Sequence, residues 1–190
     1  MKFNEHLALK ETDSHAFLSP SGYHWINYDV SKLLSVYENN KQKEKGTRLH
    51  EFAKEAILLR VKLSRSPLTL NQYVNDAIGF NMTPEQPLYY SQYCWGTADA
   101  ISFSGKHLRI HDLKTGNTPA SMKQLYVYAA LFCLEYDKDP FQIDIDLRIY
   151  QNEEIVCDKP SPEDIKNIME TIKIFSRELE SYEKEILENV

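Results

Sequence analysis

The chain is poor in the features that mark several large protein classes. It holds three cysteines, Cys94, Cys133 and Cys157. They form no CxxC pair, and an odd, scattered set argues against a disulfide framework, so they are read as reduced thiols packed in a cytoplasmic protein. Its six glycines form no glycine-rich phosphate loop. No apolar run approaches the length of a membrane span, and the opening MKFNEHLALKETDSHAF lacks the apolar stretch of a secretory signal. A membrane partner is therefore not expected. Internal repeats and low-complexity segments are also lacking. Positive charge is short as well: 22 Lys and Arg stand against 28 Asp and Glu, a net charge of −6. Phosphate contacts come mainly from Lys and Arg, so composition alone points away from nucleic acid. Net charge is an average, however, and a carboxylate-rich metal site can belong to an acidic domain.

What is present reads as one soluble globular domain. At 190 residues, 42% hydrophobic and 26% charged, the chain is long enough to bury a core without staples. Residues 1–45 read as an N-terminal helical and aromatic segment, in which SPSGYHWINYD (Ser19 to Asp29) offers turn residues and then aromatics. Tyr23 and Trp25 there suit core packing, with base stacking as the alternative. A helix is predicted from about Val30 to Asn39, and ENNKQKEKG (Glu38 to Gly46) reads as a solvated connector. From Thr47 to Leu63 the residues Leu49, Phe52, Ala53, Ala56 and Ile57 form one helical apolar stripe. A second helix is expected over Leu68 to Ile78, ended by Gly79. TPEQP (Thr83 to Pro87) reads as a loop because of its two prolines.

Strand-like runs follow over Leu88 to Phe103 and Leu108 to Leu113. Thr118 as N-cap with Pro119 at the first helical position predicts a largely buried helix to about Tyr136. IDIDLRIY (Ile143 to Tyr150) alternates as a strand and pairs, through a turn near Asn152 and Glu153, with Ile155 and its neighbours. Ser161-Pro162-Glu163-Asp164 opens a C-terminal amphipathic helix within 161–190. Its stripe of Ile165, Ile168, Met169, Ile172, Phe175, Leu179, Tyr182 and Ile186 packs on the body or on a partner. This order gives an α/β (α+β) sandwich with a small central mixed β-sheet flanked by helices.

The chemistry concentrates in GTADAISFSGKHLRIHDLKTG, Gly96 to Gly116. A two-residue turn at Gly105-Lys106, with glycine where a type II′ turn needs it, pairs Ser104 with His107. Counting outward brings Asp99 opposite Asp112, with Cβ atoms roughly 5 Å apart. Two carboxylates so placed destabilise an ordinary hairpin, whereas a divalent cation between them relieves the repulsion. Asp112 and Lys114 share a face while Leu113 turns to the core. The alternative is a solvated charge pair beside a surface lysine, and a slip of one residue in register would undo the arrangement.

GTADAI, HDLKTG and QLYVY together resemble the PD-(D/E)xK nuclease superfamily, specifically its RecB-type and lambda-exonuclease-like branch. Gly46-Thr47-Arg48-Leu49-His50 matches that branch's Gly-x-x-x-His, and Gln124 with Tyr128 matches its Gln-x-x-x-Tyr. The resemblance covers about Gly46 to Tyr128. It implies a restriction-endonuclease-like catalytic core, here within 46–160. It also implies that Asp99 and Asp112 bind metal, with the backbone carbonyl of Leu113 as a further ligand and Lys114 activating the attacking water. His50, at the edge of the apolar stripe, would close the metal site. Gln124 and Tyr128, on one helix face, would orient DNA or the hydrogen-bond network; a buried polar pair is the alternative.

Lys123 and the Thr115-Gly116-Asn117 turn are weaker candidates for phosphate contacts. Relatives often carry an acid where Lys54 stands, and Glu51 and Glu55 read as solvated. Iron–sulfur members of the branch use four cysteines, so no cluster is expected. The implied activity is Mg²⁺- or Mn²⁺-dependent DNA hydrolysis, most readily by an exonuclease of recombination or repair, of phage origin and working in a bacterial cytoplasm. A recombinase or single-strand annealing protein would be a partner, and the C-terminal helix offers a surface for a homo-oligomer. Alternatives are a structure-specific or single-strand endonuclease, and a nuclease-fold binding or inhibitory protein without catalysis.

Overall fold

The computed structural model describes residues 16–116 and 118–188. The opening MKFNEHLALKETDSH segment, Asn117 of the Thr115-Gly116-Asn117 turn and the last two residues lie outside the described residues. The chain divides into two units, 1–45 and 46–190. In the first, Pro20–Asn27 forms a 3-10 helix. Trp25 Nε1 donates to the Ser19 carbonyl at 3.0 Å, while Tyr23 is exposed and stacks on His24. Asp29 then accepts the Lys32 amide at 2.7 Å and caps helix α1, Val30–Leu58.

Helix α1 is continuous across Glu38 to Gly46, where a connector was expected. The Lys, Glu and Gln residues there are good helix formers, they are exposed, and pairs such as Lys41–Glu44 at 3.0 Å support the turns. A polar stretch without an apolar stripe therefore remains helical. The predicted stripe is also narrower than expected: Ala53, Ala56 and Ile57 are buried, Leu49 is half-buried and Phe52 is exposed.

In the second unit, α2 (Thr69–Gly79) leads into five strands: β1 (Thr83–Ser91), β2 (Cys94–Ser104), β3 (His107–Leu113), β4 (Asp144–Gln151) and β5 (Glu154–Asp158). Helix α3 (Lys123–Glu135) joins β3 to β4, and α4 (Pro162–Glu188) ends the described chain. The strands lie in sequence order and pair antiparallel except for β3 with β4. That parallel pair needs the crossover α3 supplies. The fold is thus α+β, a mixed sheet flanked by helices.

Thr83 to Pro87 is part of β1 and not a loop. β1 is an edge strand, where a proline's missing N–H leaves no ladder partner unsatisfied. Helix α3 starts at Lys123, five residues beyond the expected Thr118 cap. The Gln151 side chain accounts for the delay: it donates to the carbonyls of Gly116 and Thr118 and accepts the Ala120 amide. Those groups are satisfied without helix.

Two apolar clusters cover the faces of the sheet. On one, Leu125, Ala129, Leu131 and Cys133 of α3 and Ile165 and Ile172 of α4 meet Leu88, Ile110, Leu147 and Ile149. On the other, Ala53, Ala56 and Ile57 of α1 and Tyr73, Val74 and Ala77 of α2 meet Ala100, Leu113 and Tyr150. Helix α4 begins as expected, with Ser161 Oγ accepting the Asp164 amide at 3.1 Å. Its stripe packs only in its first half; Phe175, Leu179, Tyr182 and Ile186 are exposed. Cys133 is buried, Cys94 half-buried and Cys157 exposed, all as free thiols.

His111 is fully buried on β3. Tyr150 gives its single phenolic proton to Asp76 at 2.7 Å, so the 3.2 Å contact with His111 Nδ1 has the imidazole as donor. Nε2 is then a buried acceptor without a partner. Burial, reinforced by Arg148, pushes the His111 pKa down to about 3. The unfolded imidazole takes its proton near pH 6.5, so below that pH the unfolded chain binds the extra proton and stability falls as pH falls. Urea unfolding in EDTA from pH 6 to pH 4 is expected to show wild type losing up to about 1.4 kcal/mol per pH unit more than His111→Phe. Parallel profiles would contradict the buried neutral ring.

Candidate metal centre

The turn at Gly105-Lys106 is where the sequence places it, with Gly105 at φ +61 and Lys106 outside the left-handed region. The β2–β3 ladder runs from Ser104–His107 to Ala100–His111. By count Asp99 and Asp112 come next, yet the backbone ladder stops before them. Asp99 Oδ2 instead accepts the amide of Leu113 at 2.8 Å. A side-chain acceptor replaces the strand partner, so the strands part where the two acids would oppose each other.

The other edge of β2 is irregular at the same level. β1 pairs Pro84 with Ala100 and Gln86 with Ala98, and between them Glu85 sits at φ +50. For a residue with a Cβ that conformation costs roughly 1–2 kcal/mol. Such strain persists only where surrounding structure imposes it, and it concentrates at functional sites. The facing of β2 changes here too: Ala98 lies in the α3 cluster and Ala100 in the α1–α2 cluster. Regular alternation would put both on one face.

These irregularities bring acids from two strands to one imidazole. His50 Nδ1 on α1 lies 3.6 Å from Asp99 Oδ2 and 3.9 Å from Glu85 Oε1. One ligand atom from each of His50, Glu85 and Asp99 falls within 4.8 Å of the others. Ligands on opposite sides of one Mg²⁺ stand about 4.2 Å apart, and the two distances from His50 Nδ1 lie within that span. Helix α1 is held close by Gly46, one turn before His50. A Cβ at Gly46 would stand 2.7 Å from Thr115 Oγ1.

Asp112 is buried on the adjacent strand. Lys114 Nζ donates to its Oδ1 at 3.0 Å and to Gln124 Oε1 at 3.0 Å. The ammonium is also 3.0 Å from Asp112 Oδ2, but off the hydrogen-bonding direction, and that buried oxygen has no hydrogen-bond partner. Gln124 therefore reaches the site through Lys114. Tyr128, one turn later, packs closely on β2 at Gly96: a Cβ there would lie 3.0 Å from its ring.

Burial pushes the Asp99 carboxyl up to about 6, with the Asp112 charge adding and His50 opposing. Burial raises Asp112 as well, against the pull of Lys114. The donor set is thus hard oxygen plus one imidazole, on half-buried residues. It fits Mg²⁺ or Mn²⁺.

Of the residues singled out in the sequence, His50 and Asp99 meet directly, while Asp112, Lys114 and Gln124 form a chain beside them. Asp112 is outside the three-residue ligand group, and Leu113 meets Asp99 through its amide; its carbonyl is a ligand by resemblance alone. Glu51, Lys54 and Glu55 are exposed. Glu85 was missed because two flanking prolines read as a loop. The available signal was an acid just ahead of a strand carrying another. Comparison with protein-family models, curated proteins and solved structures finds no significant match.

The Gly46 contact can be tested by a double-mutant cycle. In a helix interior Gly→Ala gains about 1 kcal/mol, whereas forcing a methyl into a filled space costs about 1–3 kcal/mol. Gly46→Ala is expected to destabilise the wild type by about 1 kcal/mol and to stabilise a Thr115→Ala background by a similar amount. Equal effects in both backgrounds, read by thermal unfolding, would remove the close approach from the account.

Proposed function

We propose that the chain is a Mg²⁺- or Mn²⁺-dependent deoxyribonuclease of the PD-(D/E)xK type, in its RecB-type and lambda-exonuclease-like branch. The reading rests most on one observation: buried Asp112, paired to Lys114, beside an Asp99 that shares a potential ligand group with His50 and Glu85. Motifs far apart in sequence, with the order and spacing of that branch, converge within one small volume. The mixed sheet flanked by helices is compatible with a restriction-endonuclease-like core.

His50, Glu85 and Asp99 would hold the cation, and the free Oδ2 of Asp112 offers it a further oxygen. Such an ion polarises a phosphate oxygen and lowers the pKa of water. Lys114, fixed between Asp112 and Gln124, presents its ammonium beside the reacting phosphate. There it orients the attacking water and stabilises charge that develops on oxygen. Tyr128 and Gly96 fix the helix that carries Gln124, and so the lysine.

An exonuclease of recombination or repair is the form the resemblance favours, with a phage origin, a bacterial cytoplasmic setting and a recombinase or annealing protein as partner. Among the described residues no helix is long and apolar enough to cross a membrane. The net charge of −6 favours a second reading, a nuclease-fold protein that binds or inhibits without catalysis. Assay of end-labelled linear and closed circular DNA with Mg²⁺ or Mn²⁺ separates these. Linear DNA is expected to be degraded and circles spared; cleaved circles would indicate an endonuclease. Asp112→Asn, Lys114→Ala and Glu85→Gln are expected to remain folded and to lose at least about a hundred-fold in rate. Undiminished, metal-independent cleavage by those variants would overturn the assignment.

A further inference from the structure

β1 and β2 carry a second feature beyond the acids. Tyr89 and Trp95 are directly paired across the strands, and both are exposed, at 55% and 65%. Alternation sets them opposite Leu88 and Gly96, whose face packs on α3. They therefore lie on the side of the sheet from which α1 presents His50. Between this pair and Glu85–Asp99 lies the pair Pro87–Thr97. These are two large aromatic side chains on paired strands, each more than half exposed. They add nothing to the core that would explain them.

Four residues of strand separate Tyr89 from Glu85 and Trp95 from Asp99, which at ~3.4 Å per residue is ~14 Å. About four nucleotides of stacked strand at ~3.4 Å each span that distance, and fewer do when the strand is extended. We infer that Tyr89 and Trp95 form a stacking platform for unpaired bases of a nucleic-acid strand whose phosphate lies at the carboxylate site. The inference rests on the nuclease reading and deepens it: the substrate presents a single-stranded segment to the site. Paired bases inside a duplex hide their faces from such a platform, whereas unpaired bases of any sequence offer one. Stacking also needs no cationic surface, which suits a chain of net charge −6.

Trp25 and Trp95 are the two tryptophans of the chain, so Trp25→Phe leaves Trp95 as sole reporter in the full-length protein. Titration with short oligothymidylate, in Ca²⁺ so that a cation spans carboxylate and phosphate, is expected to quench Trp95 emission; a blunt duplex of equal length is expected to leave it unchanged. Trp95→Ala and Tyr89→Ala should each weaken oligothymidylate binding roughly ten-fold by fluorescence anisotropy, without altering circular dichroism or Mn²⁺ binding. Trp95 emission unmoved by saturating oligothymidylate would overturn the platform. So would failure of the oligonucleotide to bind, or Trp95→Ala dissociating an oligomer while leaving its affinity intact, which would assign the pair to a protein contact. Quenching by an oligonucleotide that is never cut with Mg²⁺ or Mn²⁺ would uphold the platform and refute the nuclease. Cutting without a Trp95 response would do the reverse.

Discussion

The hydrogen bond from the Leu113 amide to the Asp99 carboxylate is the contact on which the centre depends. Continued by one more pair, the β2–β3 ladder would set Asp99 against Asp112 with Cβ atoms roughly 5 Å apart. The chain ends the ladder at Ala100–His111 and lets the carboxylate take the amide that a strand carbonyl would have taken. Asp99 is thereby fixed without lying flat against Asp112, and the sheet opens at that level. Glu85, strained at φ +50, and His50 complete the group around that carboxylate. Asp112 keeps its own counter-ion in Lys114.

This arrangement is held against its own electrostatics. Burial raises the Asp99 carboxyl, and the Asp112 charge adds to the shift; each lost charge–water interaction costs stability. Neutral packing on both faces of the sheet supplies the support: Leu113 itself lies in one cluster and Ile110 in the other. The centre therefore rests on strands whose neighbouring residues are core. Its helical members are located by steric fit, through Gly46 against Thr115 and Gly96 against Tyr128. Geometry set by packing survives the binding and release of an ion better than geometry set by charge alone.

Much of this was legible in the sequence, for local reasons. The Gly105 turn fixed the β2–β3 register, since one glycine at a set position determines every pair beyond it. Asn152 and Glu153, both with positive φ, turn β4 into β5 where the pattern broke. The acids, the lysine and the histidine were legible because their spacing follows from strand and helix periods. What escaped the sequence is non-local. Glu85 depends on β1 being an edge strand, and no property of TPEQP states that. The late start of α3 depends on Gln151, far along the chain. The continuity of α1 rests on exposed helix formers, whose lack of an apolar stripe was mistaken for lack of helix. The end of the β2–β3 ladder was invisible because the same two acids that suggested the site also forbade its simplest geometry.

The central claim is that Glu85, Asp99 and His50 form one cation site, and Mn²⁺ titration followed by electron paramagnetic resonance of the free ion tests it most directly. Wild type should bind Mn²⁺, with Asp99→Asn, Glu85→Gln and His50→Ala each weakening it at least ~ten-fold. Glu55→Gln, an exposed change on the same helix, should leave it unaltered. Mn²⁺ binding that is absent from wild type, or indifferent to Glu85 and Asp99, would contradict the account.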